Sequence, residues 1–261
     1  MSDILKKIVE IKLARLAAEK RLVSRETIEQ VASEKPRPMD FLQAFAGSGI
    51  HIMAEVKKAS PSKGILKPDF DPKALVRAYA QGGASAVSVL TEQDHFSGSL
   101  KILELVRDQV ALPILRKDFI TDAYQVIQAR AAGADSFLLI VGLLNFVQLK
   151  TLIEVGRAWQ MEPLVEVHNL PQLHTALNAG AKFIGINNRD LRTFRVNLDV
   201  SLQLVKKIPR DRTVISESGI RSREDILRLS DAGIKGCLIG ESIVTSPDPA
   251  AKLRELIHGS S

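Results

Sequence analysis

The chain has 261 residues, of which 45% are hydrophobic, 25% charged and only 5% aromatic, so a globular core must rest on Val, Ile, Leu and Ala. Its formal charge of +6 suits an anionic partner, but the Lys and Arg are scattered rather than bunched, which argues against bulk nucleic-acid binding. One cysteine, Cys237, excludes a disulfide framework or a cysteine metal cluster; with no signal core and no run of roughly 18 apolar residues, no membrane segment and a cytoplasmic location are expected.

Residues 1–48 open with "ILKKIVEIKLARLAAEKR", a helical pattern, and close with "PMDFLQAFA", read as a short second helix beginning near the prolines. Composition favours a basic-faced helical extension packed on the following domain over one that covers its mouth.

From about Ile50 to the end a rhythm takes over. Short runs rich in Val, Ile and Leu read as strands: "IHIMAEV" (50–56), "AVSVL" (86–90), "LPIL" (112–115) and "SFLLIV" (136–141). "PLVEV" (163–167), "FIGI" (183–186), "TVIS" (213–216) and "GCLIG" (236–240) complete eight. Between them lie helical patterns such as "PKALVRAYAQ", "AYQVIQARAA", "FVQLKTLIEVGRAW", "LPQLHTALNA" and "REDILRLSDA", with apolar residues at i, i+3 and i+4. Gly82-Gly83, Gly133, Gly180 and Gly233 stand between a helix and the next strand, where a left-handed glycine cap is chemically sensible. Eight strand–helix units over this length predict an α/β fold: a closed (β/α)8 TIM barrel over 49–261, with the helical extension before it. An open doubly wound sheet fits less well, because no G-x-G-x-x-G follows the first strand.

Function in such a barrel collects at the C-terminal ends of the strands. The two-residue strand period puts Met53, Glu55 and Lys57 on one face, and Leu164, Glu166 and His168 on another. Arg116 and Lys117 fall on opposite faces, and Asn187 shares a parity with Arg189. Isolated buried charges are strongly unfavourable. Glu55, Lys57, Lys117 and Glu166 are therefore expected to converge at one mouth, where they can keep one another charged or shift a pKa. The loops "SESGIRSRED" and "LIGES" follow the seventh and eighth strands, a frequent phosphate position, with small residues that let backbone N–H groups approach an anion. Ser222 also reads as a helix cap there. The five histidines form no H-x-x-x-H or HExxH pattern, so neither metal nor cofactor is expected, and His168 reads as a hydrogen-bonded loop residue. These residues point to acid–base chemistry on a phosphorylated small molecule, by an isomerase, an aldolase or a cyclase.

The ordered set "AEVKKASPSKG", "SVLTEQDHFSGSL", "LPILRKDF", "PLVEVHN", "FIGINNRDL", "SESGI" and "LIGES" resembles the indole-3-glycerol phosphate synthase family over essentially the whole chain. Ala59 and the "ESIV" ending depart from its usual pattern. The resemblance implies ring closure of 1-(2-carboxyphenylamino)-1-deoxyribulose 5-phosphate with loss of CO2 and water. It implies Lys117 as general acid, with a pKa expected to be lowered, and Glu166 as the carboxylate of the dehydration. Glu55 and Lys57 would complete the charged network. Lys57, Ser60 and Arg189 would anchor the substrate, and Asn187 would hold the network or a hydroxyl. Ser218, Gly219, Gly240 and Glu241, the last through its backbone, would grip the phosphate. Phe96, Phe119, Leu138 and Leu191 would wall the aromatic ring, with Pro61 stiffening the loop above it. Lys58 and Lys63 are expected to be solvated. The expected partner is a phosphorylated small molecule, handled by a monomer without nucleic acid or membrane. The alternative is another phosphosugar barrel, such as phosphoribosylanthranilate isomerase. That family uses a Cys/Asp pair at the mouth, whereas Cys237 lies within the eighth strand.

Overall fold

The computed structural model describes residues 3–61, 63–190 and 193–259. Its parallel strands are β1 His51–Val56, β2 Ala86–Leu90, β3 Ile114–Lys117 and β4 Ser136–Ile140. They continue as β5 Leu164–Val167, β6 Phe183–Asn187, β7 Thr213–Glu217 and β8 Gly236–Ile239. Each pairs with its neighbours in sequence, and β1 pairs with β8, closing the barrel. Seven of the expected strands lie within a residue of these bounds. The third is displaced: Leu112 and Pro113 precede it, and Arg116 and Lys117 belong to it. Pro113 has no N–H to donate to a ladder, and only its carbonyl pairs, with the Val87 N–H at 2.9 Å.

Two cores follow from the strand period. Outward residues such as Ile52, Ala54, Val56, Val87, Val89, Ile184 and Ile186 pack against the helices. Inward residues such as Met53, Leu115, Leu164, Phe183, Ile215 and Leu238 fill the barrel. The helices present apolar stripes to the outer core, as in α3 Pro72–Gln81 with Leu75, Val76 and Tyr79 and α9 Arg223–Asp231 with Ile226 and Leu229. Their N-caps are short polar residues that accept first-turn N–H bonds, among them Asp71, Ser99, Asp122, Asn145, Asn169 and Ser222. The left-handed exits appear at Gly83, Gly133, Gly180 and Gly233, with φ of 87°, 89°, 84° and 97°.

The N-terminal segment departs from expectation. After α1 Asp3–Leu22, a second helix, α2, runs over Arg25–Glu34 with Ser24 as its cap, and packs Ile28 and Ala32 against Tyr124 and Ile127. "PMDFLQAFA" contains only a 3-10 turn at Gln43–Phe45. That stretch plugs the bottom of the barrel instead: the Phe41 and Phe45 rings lie 5.6 and 5.4 Å from Phe183, and Gly236 leaves room for Phe45. At the other end α1 does more than pack, because Ile8 lines the central cavity. Lys12, Arg15 and Lys20 bind Asp118, Asp94 and Asp122, all in loops at the C-terminal face, at 2.7, 2.7 and 2.6 Å. Among the described residues no helix is long and apolar enough to cross a membrane.

Candidate active site

The odd-numbered strands carry one repeated feature. Met53, Leu115, Leu164 and Ile215 form an apolar layer, and two residues on stand Glu55, Lys117, Glu166 and Glu217. Alternate strands of such a barrel contribute each four-residue layer. The charged residues are therefore a single layer facing one another at the top. The even strands make room for it with glycine. A Cβ on Gly185 would overlap Glu217 Oε1, and one on Gly240 would overlap Glu55 Oε2.

At the centre, Lys117 Nζ lies 3.3 Å from Glu166 Oε2 and 3.1 Å from Glu217 Oε2, while Lys57 Nζ pairs with Glu55 Oε2 at 2.5 Å. Both glutamates at Lys117 are only 2% exposed, so their charges act at short range with little screening. Burial opposes charge on Lys117, but Glu217, Glu166 and Glu55 outweigh it and raise its pKa above the ordinary lysine value. The expected lowering does not occur, because three carboxylates surround the amine. Burial pushes Glu217 up to about 8, reinforced by Glu166 and Glu55 and resisted by Lys117. Burial also acts on Glu166, but Lys117, His168 and a hydrogen bond from Asn187 reverse it, so its pKa falls below the usual value. The two carboxyls are thus driven apart. Glu166 has several donors, whereas Glu217 Oε1 is buried with no hydrogen-bond partner.

A cavity of about 420 Å3 opens above this layer, within the size range of small-molecule sites. Every candidate from the sequence lines it except Leu191, which lies outside the described residues. Asn187 Oδ1 accepts the Arg189 N–H at 3.0 Å, tying the end of β6 to the following loop. Phe96 and Phe119 form an apolar wall with ring centroids 6.3 Å apart, near Leu138. Buried Glu92 accepts the N–H groups of Asp94, His95 and Phe96, which fixes the loop that carries Phe96. Opposite the wall, Ser218 and Gly219 are both left-handed, with φ of 67° and 83°, and a Cβ on Gly219 would overlap Val196. Two successive residues of this kind turn the backbone sharply beside Gly240 and Glu241. Ser222 caps α9 in a capping box with Asp225.

The loop after β1 forms a small hairpin, Ala59–Ser60 with Gly64–Ile65, that the sequence reading did not anticipate. Ser60 and Pro61 face the cavity, and Ser60 Oγ is buried without a hydrogen-bond partner. Lys63 is not simply solvated, because its Nζ pairs with Glu241 Oε1 at 2.5 Å and ties the hairpin across the mouth. His168 hydrogen-bonds Gln172 as a loop histidine should, yet its Nε2 also lies 3.4 Å from Glu166 Oε1. The residue that sequence reasoning missed is Glu217. Its signal was available in "TVISE", whose Ile215-x-Glu217 spacing repeats Met53-x-Glu55, Leu115-x-Lys117 and Leu164-x-Glu166.

A family model described as indole-3-glycerol phosphate synthase matches residues 5–256. The protein of that name from Carboxydothermus hydrogenoformans is 46% identical over 261 residues, covering 97% of this chain and 99% of its own. The one from Albidiferax ferrireducens is 42% identical over 260 residues, covering 98% of each. Among solved structures, thiamine phosphate pyrophosphorylase from Pyrococcus furiosus aligns with a TM-score of 0.61 at 18% identity, covering 79% of this chain and 93% of its own. N-acetylmannosamine-6-phosphate 2-epimerase from Clostridium perfringens gives 0.62 at 15% identity, covering 84% and 96%. At those identities the two structures share the barrel fold alone. The relatives and the family model extend over nearly the full length, and the chain belongs to the indole-3-glycerol phosphate synthase family.

Proposed function

We propose that this chain performs indole-3-glycerol phosphate synthesis, a carboxy-lyase step of tryptophan biosynthesis, with Lys117, Glu166 and Glu217 moving the protons. The observation that carries these roles is the Lys117 ammonium between two buried carboxylates whose pKa values are driven in opposite directions. The substrate is 1-(2-carboxyphenylamino)-1-deoxyribulose 5-phosphate. Its carboxyl-bearing ring carbon attacks the ketose carbonyl, and Lys117 donates a proton to the oxygen as it becomes an alkoxide. An alkoxide is a far stronger base than an amine, so a raised lysine pKa still permits the transfer. Loss of CO2 returns its bonding electrons to the ring. Dehydration then needs a donor to the leaving hydroxyl and an acceptor for a proton of the neighbouring CH2. Glu217, protonated near neutrality, suits the first task, and ionised Glu166 the second. The three steps together consume one proton, which returns from solvent.

Glu55 completes the charged layer and Lys57 pairs with it, with Lys57, Ser60 and Arg189 anchoring the substrate and Asn187 orienting Glu166 or a substrate hydroxyl. Phe96, Phe119 and Leu138 wall the aromatic ring, and Leu191 and Pro61 belong to the same proposed set. Ser218, Gly219, Gly240 and the backbone of Glu241 hold the phosphate, a reading supported by the left-handed turn at the mouth. A phosphorylated substrate does not cross membranes unaided, which supports a cytoplasmic reaction. Incubating purified protein with the deoxyribulose phosphate tests the activity. Growth of indole absorbance is expected, and no turnover at micromolar enzyme would reject it.

A further inference from the structure

We infer that Asn188 is a positioning residue that holds the Ser218–Gly219 turn in the shape that receives the phosphate, and so sets affinity for the phosphorylated end of the substrate. The inference rests on the phosphate reading of that turn. Asn188 follows Asn187 at the end of β6 and so points away from the cavity, into the seam between β6, β7 and the helix α8 Asp199–Leu204. It is 2% exposed.

Its side chain is fully engaged. Nδ2 donates toward Ser216 Oγ at 2.9 Å, Glu217 O at 2.9 Å and Ser218 O at 3.0 Å. Oδ1 accepts from the Ser201 N–H at 3.2 Å and the Ser201 hydroxyl at 2.8 Å. Only one orientation of the amide works, because the Ser201 N–H needs an acceptor and the two carbonyls need a donor. That N–H is one of the unpaired donors of the first turn of α8, whose N-cap Leu198 supplies no side-chain cap. Asn188 therefore ties the start of α8 to the end of β7. The Asn188 backbone N–H adds a bond to Glu217 O at 2.9 Å.

What this seam holds is an unfavourable backbone. Ser218 is left-handed at φ 67°, a conformation that residues with a Cβ adopt reluctantly unless the surroundings impose it. Asn188 takes the carbonyls of the two peptide groups that flank the Ser218 Cα, Glu217–Ser218 and Ser218–Gly219, which fixes where the Ser218 and Gly219 N–H groups point. Asn187 and Asn188 thus divide the work of "INNRDL": one faces the reacting cluster, and the other faces the frame of the anion turn.

The test compares the full-length wild type with Asn188→Ala, measuring KM, kcat, competitive inhibition by inorganic phosphate, and thermal midpoint. Losing the amide should raise both KM and the phosphate inhibition constant about tenfold, with kcat changed less than about threefold, as expected when one or two hydrogen bonds that shape a site are removed. A lower thermal midpoint alone, with KM and phosphate inhibition unchanged, overturns the inference. Ser201→Ala, which leaves the amide but loosens its anchor, should shift the same two constants about two- to threefold in the same direction. If Asn188→Ala fails to fold, this second variant decides by the same readouts, and unchanged constants in it overturn the inference. A wild type that inorganic phosphate does not inhibit removes the phosphate reading and the inference together. Inhibition of the wild type that is unaltered in a folded variant removes the inference alone.

Discussion

Lys117 sits among more negative charge than its own can neutralise, and that imbalance sets what each neighbour can do. The excess is relieved by a proton on Glu217, which is why its carboxyl titrates near 8 while Glu166 stays ionised. Lys117→Ala and Glu166→Gln should each lower kcat by roughly 10²- to 10⁴-fold, the usual scale for a positioned acid or base, with near-native circular dichroism. Near wild-type turnover in either would reject its role. The fold also carries a sign that Glu217→Gln exposes. A carboxyl that binds its proton more tightly folded than unfolded makes stability fall as pH rises, from its unfolded pKa of 4.5 toward about 8. Glutamine has no proton to lose. Relative to wild type, Glu217→Gln should therefore gain on the order of 4 kcal/mol of stability between pH 5 and pH 9, since one pKa unit is worth about 1.4 kcal/mol. Denaturant titrations at the two pH values measure it, and a constant difference would contradict the assignment of the raised pKa to Glu217.

At the scale of an element, α1 is attached by charge at one face of the barrel and the 41–45 stretch by aromatic packing at the other. Lys12 joins a buried cluster in which Asp118 also accepts from Thr91 at 2.6 Å and Arg116 at 3.0 Å. Burial resists ionisation of Asp118, but Arg116 and Lys12 more than offset it and keep its pKa below the usual carboxylate value. Asp118 follows Lys117 directly, and its Oδ1 accepts the Phe119 N–H at 2.8 Å. Lys12→Ala should cost about 2 kcal/mol of stability, because Arg116 and Thr91 remain on the carboxylate, and should raise KM by loosening the wall that holds Ile8 and Phe119. Urea unfolding and steady-state kinetics on one preparation check both parts; an unchanged KM would confine α1 to a structural role. Composition alone did not reveal this, because a basic helix face reads the same whether it meets water or three aspartates. Helix α2 was missed for a related reason: only Ile28 and Ala32 of its ten residues are buried, too narrow a stripe to register as a period.

For the whole molecule, a chain of net charge +6 presents Lys57, Arg189, Arg221 and Lys252 around a cavity proposed to take a ligand with two anionic groups, a carboxylate and a phosphate. Long-range attraction of that kind acts on capture, not on bound-state chemistry, and salt screens it. Raising ionic strength from about 10 mM to about 300 mM should lower kcat/KM severalfold with kcat nearly constant. A parallel fall in kcat would instead indicate that salt acts on the charged layer itself.

Strand and helix periods, the glycine exits and the eightfold count were legible in the sequence because each depends on neighbours a few residues apart. So were Glu55, Lys117 and Glu166 as charges at strand ends, since strand parity gives which residues share a face. Tertiary structure alone decided which inner faces meet. Closure of the barrel put Glu217 of β7 against Lys117 of β3, a hundred residues away, and so reversed the expected direction of the lysine pKa. It also gave exposed Lys63 a partner in Glu241, and turned "PMDFLQAFA" from an expected helix into the plug under Phe183. The physical reason is the same in each case: local pattern governs backbone conformation and facing, whereas the electrostatic and packing energy of a side chain depends on groups that only the closed barrel brings within a few ångströms.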